Sequence, residues 1–147
     1  MSEIRNIRLL SIVEKGFSLS PEKIPTTKEE CENDIKPGFG LHLMVDIEKS
    51  TLTADAKVFY GYPNKQDGIV ASLDFSYVLY VERLNEFIKE VDGEKKMAMP
   101  EGFMTDVISD VYATARTLIS IRLASTPLKD LYLPFNGAKH IVKNMEN

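Results

Sequence analysis

Pro100–Pro134 reads PEGFMTDVISDVYATARTLISIRLASTPLKDLYLP, the pattern of a long helix, a Thr-Pro stop and an extended tail. Met104, Val107, Ile108, Val111, Tyr112, Ala115, Leu118, Ile119 and Leu123 recur at i, i+3, i+4 and i+7, the spacing of a helix with an apolar side. At about 100° per residue they span roughly half the circumference, wider than the stripe a one-sided surface helix needs. Thr105, Asp106, Ser109, Asp110, Ala113, Arg116, Thr117 and Ser120 fill the other arc, which is weakly polar and poor in long charged side chains. Ser125-Thr126-Pro127 stops the helix, and Leu131-x-Leu133 before Pro134 predicts an extended tail. A helix this broadly apolar is expected to cover its own core and to meet a second surface. The plainer alternative is a central helix in a well-packed monomer.

Outward from the helix, the chain alternates rather than winds. Phe39 to Glu48 is the cleanest strand, with Phe39, Leu41, Leu43, Val45 and Ile47 on one face and His42, Met44, Asp46 and Glu48 on the other. Leu52 to Tyr62 and Ile69 to Val81 repeat the pattern, joined by a Pro63–Gly68 turn. The second face of the latter starts polar at Ser72 and Asp74 and ends apolar at Val78 and Tyr80. Ile4 to Leu19 favours a strand with a bulge or kink at Gly16; Ile4, Ile7, Ile12 and Val13 fit period two only in part, so a helix over Glu3 to Lys15 is the alternative. Ser20 to Gly38, punctuated by Pro21, Pro25 and Pro37, is expected to be a loop. In Glu82 to Met99, Leu84, Phe87, Ile88 and Val91 fit a short amphipathic helix before an exposed Asp92–Lys96 turn. Phe135 to Asn147 predicts a short helix through Ala138, Ile141, Val142 and Met145. Strands followed by helices predict α+β: a four-stranded antiparallel meander with one long and one short helix on one face.

Composition narrows the function classes. A chain of 147 residues predicts one domain over 1–147, with a formal charge of −4 that gives no basic footprint for nucleic acid. One cysteine, Cys31, allows no internal disulfide and suits a reducing compartment. The N-terminus lacks the apolar run of a signal peptide, and no stretch approaches the roughly 18 apolar residues of a membrane span, so a cytoplasmic protein with no membrane insertion is expected.

Chemistry is sparse. Gly38-Phe39-Gly40 is not followed by a helix start, which weakens it as a phosphate cradle. Cys31, His42 and His140 are scattered singly, so neither a metal site nor a nucleophile–base pair is expected. Asp106 and Asp110 read as solvated carboxylates of the polar helix face. No catalytic residue, metal or cofactor is assigned, and an enzyme is the least supported class. Apolar surface is the unusual feature, and it points to self-association or to a groove for extended apolar segments.

The run Tyr112-Ala113-Thr114-Ala115-Arg116-Thr117-Leu118-Ile119, then Pro127 and Leu131-Tyr132-Leu133-Pro134-Phe135-Asn136, resembles the helix and following segment of the SecB-type protein-export chaperones. Phe17-Ser18-Leu19 before a Pro-bearing loop falls in the same order. The resemblance implies two helices on a four-stranded sheet, assembly as a homodimer or homotetramer with long helices between sheets, and a holdase binding apolar stretches of unfolded or precursor polypeptides. This chain departs from the family at Tyr77 and Val78, where glycines are usual, in the longer Glu82–Met99 connector, and in lacking an acidic C-terminal tail; the departures bear on export targeting more than on fold. The expected polypeptide-binding residues are Phe39, Leu41, Leu43, Phe75, Tyr77, Val78 and Tyr80, and the expected subunit contact uses Ile108, Val111, Ala115, Leu118 and Arg122. The alternative is an oligomeric interaction protein, or a chaperone dedicated to one partner such as an antitoxin, without an export role.

Overall fold

The computed structural model describes residues 6–146; Ile4 lies outside the described residues, as does the side chain of Met145. The element order is β1 (Ile7–Leu19), α1 (Lys28–Asp34), β2 (Lys36–Asp46), β3 (Thr51–Gly61), β4 (Ile69–Val81), β5 (Ile88–Val91), β6 (Glu94–Met97), α2 (Phe103–Leu123) and α3 (Gly137–Glu146). The protein is α+β, with a four-stranded antiparallel sheet in the order β1-β4-β3-β2 and a separate β5-β6 ribbon. The expected meander holds for β2, β3 and β4. β1 departs from it by pairing with β4 instead of β2, which leaves β1 and β2 as the two edges.

Alternation explains the sheet. On one face Leu52, Ala54, Ala56, Val58 and Tyr60 of β3 lie beside Leu79, Tyr77, Phe75, Leu73 and Ala71 of β4, and all ten are buried. β1 slips register twice, between Leu9 and Ser11 and between Glu14 and Gly16. Each bulge inserts one residue and exchanges the faces. Ile7 and Leu9, then Ile12 and Glu14, then Phe17 and Leu19 therefore sit opposite the core residues of β4, which is why the strand fits period two only in pieces.

Two connections differ from their expected form. Ser20–Gly38 is not all loop, because it contains α1. Thr27 caps that helix by accepting from the Glu30 amide at 3.1 Å, a role already present in Thr27-Lys28-Glu29-Glu30. Cys31 consequently lies in a helix and in the core instead of a polar loop. Glu82–Met99 forms a 3-10 turn at Leu84–Phe87 and the β5-β6 hairpin, not an amphipathic helix. Asp92-Gly93, at φ 52° and 80°, supplies the left-handed pair that a two-residue hairpin turn demands.

α2 buries a narrower stripe than its sequence suggests. Phe103, Val107, Val111, Ala115, Ile119 and Leu123 form one i+4 row with Ile108 and Tyr112 beside it, whereas Met104 and Leu118 are only half-buried. Beyond Leu123 the chain runs without ladder hydrogen bonds, so its carbonyls need other donors. Tyr60 Oη donates to the Leu131 carbonyl at 3.0 Å, Tyr112 Oη to Pro134 at 2.8 Å, and Arg116 to Leu133 and Pro134 at 3.2 and 2.9 Å. Leu128 and Leu133 then enter the core. Gly137 starts α3 against this clasp: a Cβ there would lie 2.0 Å from the Tyr112 hydroxyl.

Neighbouring helix positions differ sharply. Ile119→Ala is expected to cost about 2–5 kcal/mol in urea unfolding, and half-buried Leu118→Ala about 1 kcal/mol. Alkaline pH provides a second check. Burial pushes the Tyr60 phenol from 10.0 to about 12, so its contribution is whole below pH 10 and is lost as pH rises through 12. Unfolding free energy is expected to fall over that interval. Tyr60→Phe should reduce the slope without abolishing it, because burial raises Tyr77 and Tyr112 in the same sense.

Candidate polypeptide-binding clefts

The residues expected to bind polypeptide divide between the two sides of the sheet. Phe39, Leu41 and Leu43 are half-buried on the helix side of edge strand β2, with the Phe39 ring edge-on to Tyr112 at 5.4 Å. Phe75 and Tyr77 are core residues of β4. Val78 and Tyr80 are half-buried on the opposite face, where Arg8 stacks 4.8 Å from the Tyr80 ring centroid. These seven side chains do not line one groove.

Two clefts lie along the sheet edges instead. The first, about 470 Å³, runs between the end of β2 and the β5-β6 hairpin, lined by Leu43, Val45, Ile47, Ile88 and Met97. Asp46 and Glu48 stand on its strand side, Lys95 and Lys96 on its hairpin side. Val45 and Ile47 each keep 39% of their surface exposed although they continue the core-facing alternation of Leu41 and Leu43. The alternation signals them in the sequence; Ile88 and Met97 carry no such signal, because only the hairpin brings them to β2.

The second cleft, about 300 Å³, lies between the start of β1 and α2, with Ile7, Leu79, Phe103 and Val107 as its apolar lining and Asp106 and Asp110 beside them. Asp110 is not merely solvated, since it accepts the Tyr77 hydroxyl. Burial and this carboxylate both raise the phenol's pKa, in that order, so Tyr77 stays neutral. Ile7, Leu9, Leu10, Ile12 and Val13 are each 40–52% exposed along this edge. Such a long apolar edge is a liability unless something covers it.

The expected subunit contacts on α2 also separate. Ile108, Val111 and Ala115 are buried within their own chain, and Leu118 is half-buried. Arg122 pairs with Glu14 and lies 5.6 Å from the Phe17 ring centroid, so it fastens β1 to the helix. The outward side of α2 has its own shallow cleft of about 390 Å³ lined by Arg116, Thr117, Ser120, Ile121, Ala124 and Tyr132.

Polar chemistry on the other sheet face does not assemble a nucleophile. His42 lies opposite Asp55, but Ser76 donates its hydroxyl to Asp55 rather than to the imidazole. That hydrogen bond, followed by the Lys15 charge, holds the Asp55 carboxyl below its ordinary value against the cost of burial. Among the described residues no group of three His, Cys, Asp or Glu is placed to hold a metal ion, and no helix is long and apolar enough to cross a membrane.

No family model and no curated protein sequence matches the chain. Among solved structures, the chain is similar to the SecB-like chaperone Rv1957 of Mycobacterium tuberculosis, determined in complex with a ChAD peptide from the Rv1956 HigA1 antitoxin. The identity is 17% and the TM-score 0.44, over 90% of this chain and 88% of that one.

Proposed function

We propose that this protein is a SecB-like holdase that binds apolar, extended segments of unfolded or precursor polypeptides along the edges of its sheet. The carrying observation is the end of β2, where Val45 and Ile47 stay exposed beside an open cleft and the strand has no further neighbour among the described residues. An extended segment laid there gains main-chain hydrogen bonds from the strand and burial for alternate side chains, with no catalytic constellation required. The reading also takes the protein to be a cytoplasmic homodimer or homotetramer. Exposed apolar β1 and the outward side of α2, with Thr117 and Ile121 exposed and Leu118 half-buried, provide the self-association surface. In the dedicated-partner version the same cleft serves a single client, such as an antitoxin segment. Its volume of about 470 Å³ suits a short motif, as that version requires.

Light scattering during thermal aggregation of an unrelated client is expected to show suppression at stoichiometric amounts of protein. Val45→Ser with Ile47→Ser is expected to weaken the effect at least tenfold, because one buried aliphatic side chain is worth about 1.5–3 kcal/mol. Those exposed positions should change stability by only about 0.5 kcal/mol each. Failure to suppress, combined with tight binding of one cognate segment, would select the dedicated chaperone. Size-exclusion chromatography with multi-angle scattering is expected to give a multiple of 16.6 kDa; a monomer at micromolar concentration would remove the assembly claim.

A further inference from the structure

We propose that the β5-β6 hairpin is a strap that closes over a chain lying along β2 and is latched by Lys95 and Lys96 against Asp46 and Glu48. The inference rests on the chain-binding reading above and adds a moving part to it. Four observations carry it.

The hairpin pairs only with itself, Ile88 with Met97 through Val91 with Glu94, and forms no ladder with the main sheet among the described residues. Its base is fixed: Leu84 and Phe87 are buried, and the Ala98 amide donates to the Phe87 carbonyl at 2.7 Å. From Lys89 to Lys96 every residue is exposed, and among the described residues the tip pairs only within its own ladder. A fixed base with a free tip lets a ribbon pivot without unfolding its anchor.

The connector is bounded by two backbone reversals. Arg83 at φ 56° precedes the 3-10 turn, and Gly102 at φ 84° precedes α2. These reversals lie outside the buried base and hold it in place, so the ribbon bends beyond that base, where burial gives way to exposure past Ile88 and Met97.

Charge is divided across the cleft. Asp46 and Glu48 line one side and Lys95 and Lys96 the other, and these four form no ion pair with one another in the open arrangement. Asp46 also accepts the Lys49 amide at 3.2 Å, which fixes its carboxylate at the β2–β3 turn. On the hairpin, Lys89 stands directly opposite Lys96, and Glu90 opposite Lys95. A like-charged cross-strand pair is unfavourable by itself, and approach of the strand carboxylates relieves it.

The lining is apolar beneath these charges. Leu43 and Val45 of the strand and Ile47 of the turn after it line the cleft of about 470 Å³ together with Ile88 and Met97 of the hairpin base. A chain added to the free edge of β2 sits roughly 4.8 Å from it and reaches this lining at Leu43 and Val45. Closure then covers the apolar side chains of the bound chain while opposite charges meet above it. A latch of this kind slows release much more than it alters encounter.

The test uses the full-length protein and a fluorescein-labelled ten-residue peptide of alternating leucine and serine, followed by stopped-flow. Lys95→Glu with Lys96→Glu is expected to speed dissociation about tenfold with little change in association. Asp46→Lys with Glu48→Lys should do the same, and the four changes together should return the rate to within about threefold of the starting protein, the signature of direct coupling. Separately, Glu48→Cys with Lys95→Cys is expected to form a disulfide under mild oxidation, and peptide should accelerate it; Cys31 stays in place because it is buried. An unchanged dissociation rate in the lysine variant, additive behaviour of the four changes, or no crosslink overturns the strap alone. A starting protein that binds neither this peptide nor an unfolded client overturns the chain-binding reading and the strap with it.

Discussion

α2 packs on the middle of the sheet, and its width sets which strands are buried and which stay at the margin. A helix with its side chains is about 10–12 Å across, and strands lie about 4.8 Å apart. One helix therefore covers two strands of a four-stranded sheet. The i+4 row from Phe103 to Leu123 is buried over β3 and β4, whose helix-facing residues are buried in turn. The equivalent residues of β1 and β2 are left at the margins, and apolar side chains made by the same alternation end as core in the middle and as surface at the edges.

The segment between α2 and α3 secures this arrangement. From Leu128 to Pro134 the chain has no ladder of its own, yet it brings Leu128 and Leu133 into the core. Tyr60, Tyr112 and Arg116 satisfy its carbonyls from two different elements. That gives a physical account of the Tyr112–Asn136 pattern on which the resemblance to SecB-type chaperones rests: the tyrosine and arginine of the helix clasp the Leu-x-Leu tail. A pattern of this kind speaks to architecture before it speaks to clients.

The two edges differ in how they are managed. β1 is bent by two bulges and pinned at its far end by Arg122, Glu14 and Phe17, while its first half remains open and apolar. β2 remains open where it faces the hairpin, with charges of opposite sign on the two sides. The first is a long apolar edge of the kind that needs constant cover. The second has a short apolar lining with exposed charges beside it.

Local pattern was enough for the elements whose environment is uniform. Strict alternation in β2, β3 and β4 and the helical row of α2 were legible because each side chain's fate comes from its period alone, and their order implied the α+β class. β1 was legible only in pieces, because its bulges interrupt the period. Thr27-x-x-Glu30 and Asp92-Gly93 carried the signals for α1 and the hairpin within stretches whose prolines and charges obscured them. Which apolar residues form a site was a different matter. Phe75 and Tyr77 became core, Val78 and Tyr80 went to the other face, and Val45 and Ile47 were left exposed at a cleft completed by Ile88 and Met97 from a remote hairpin. Residue period alone assigned side chains to a common face along β2, β3, β4 and α2. Which of those faces became core depended on packing across the sheet, because α2 is wide enough to cover only its two middle strands.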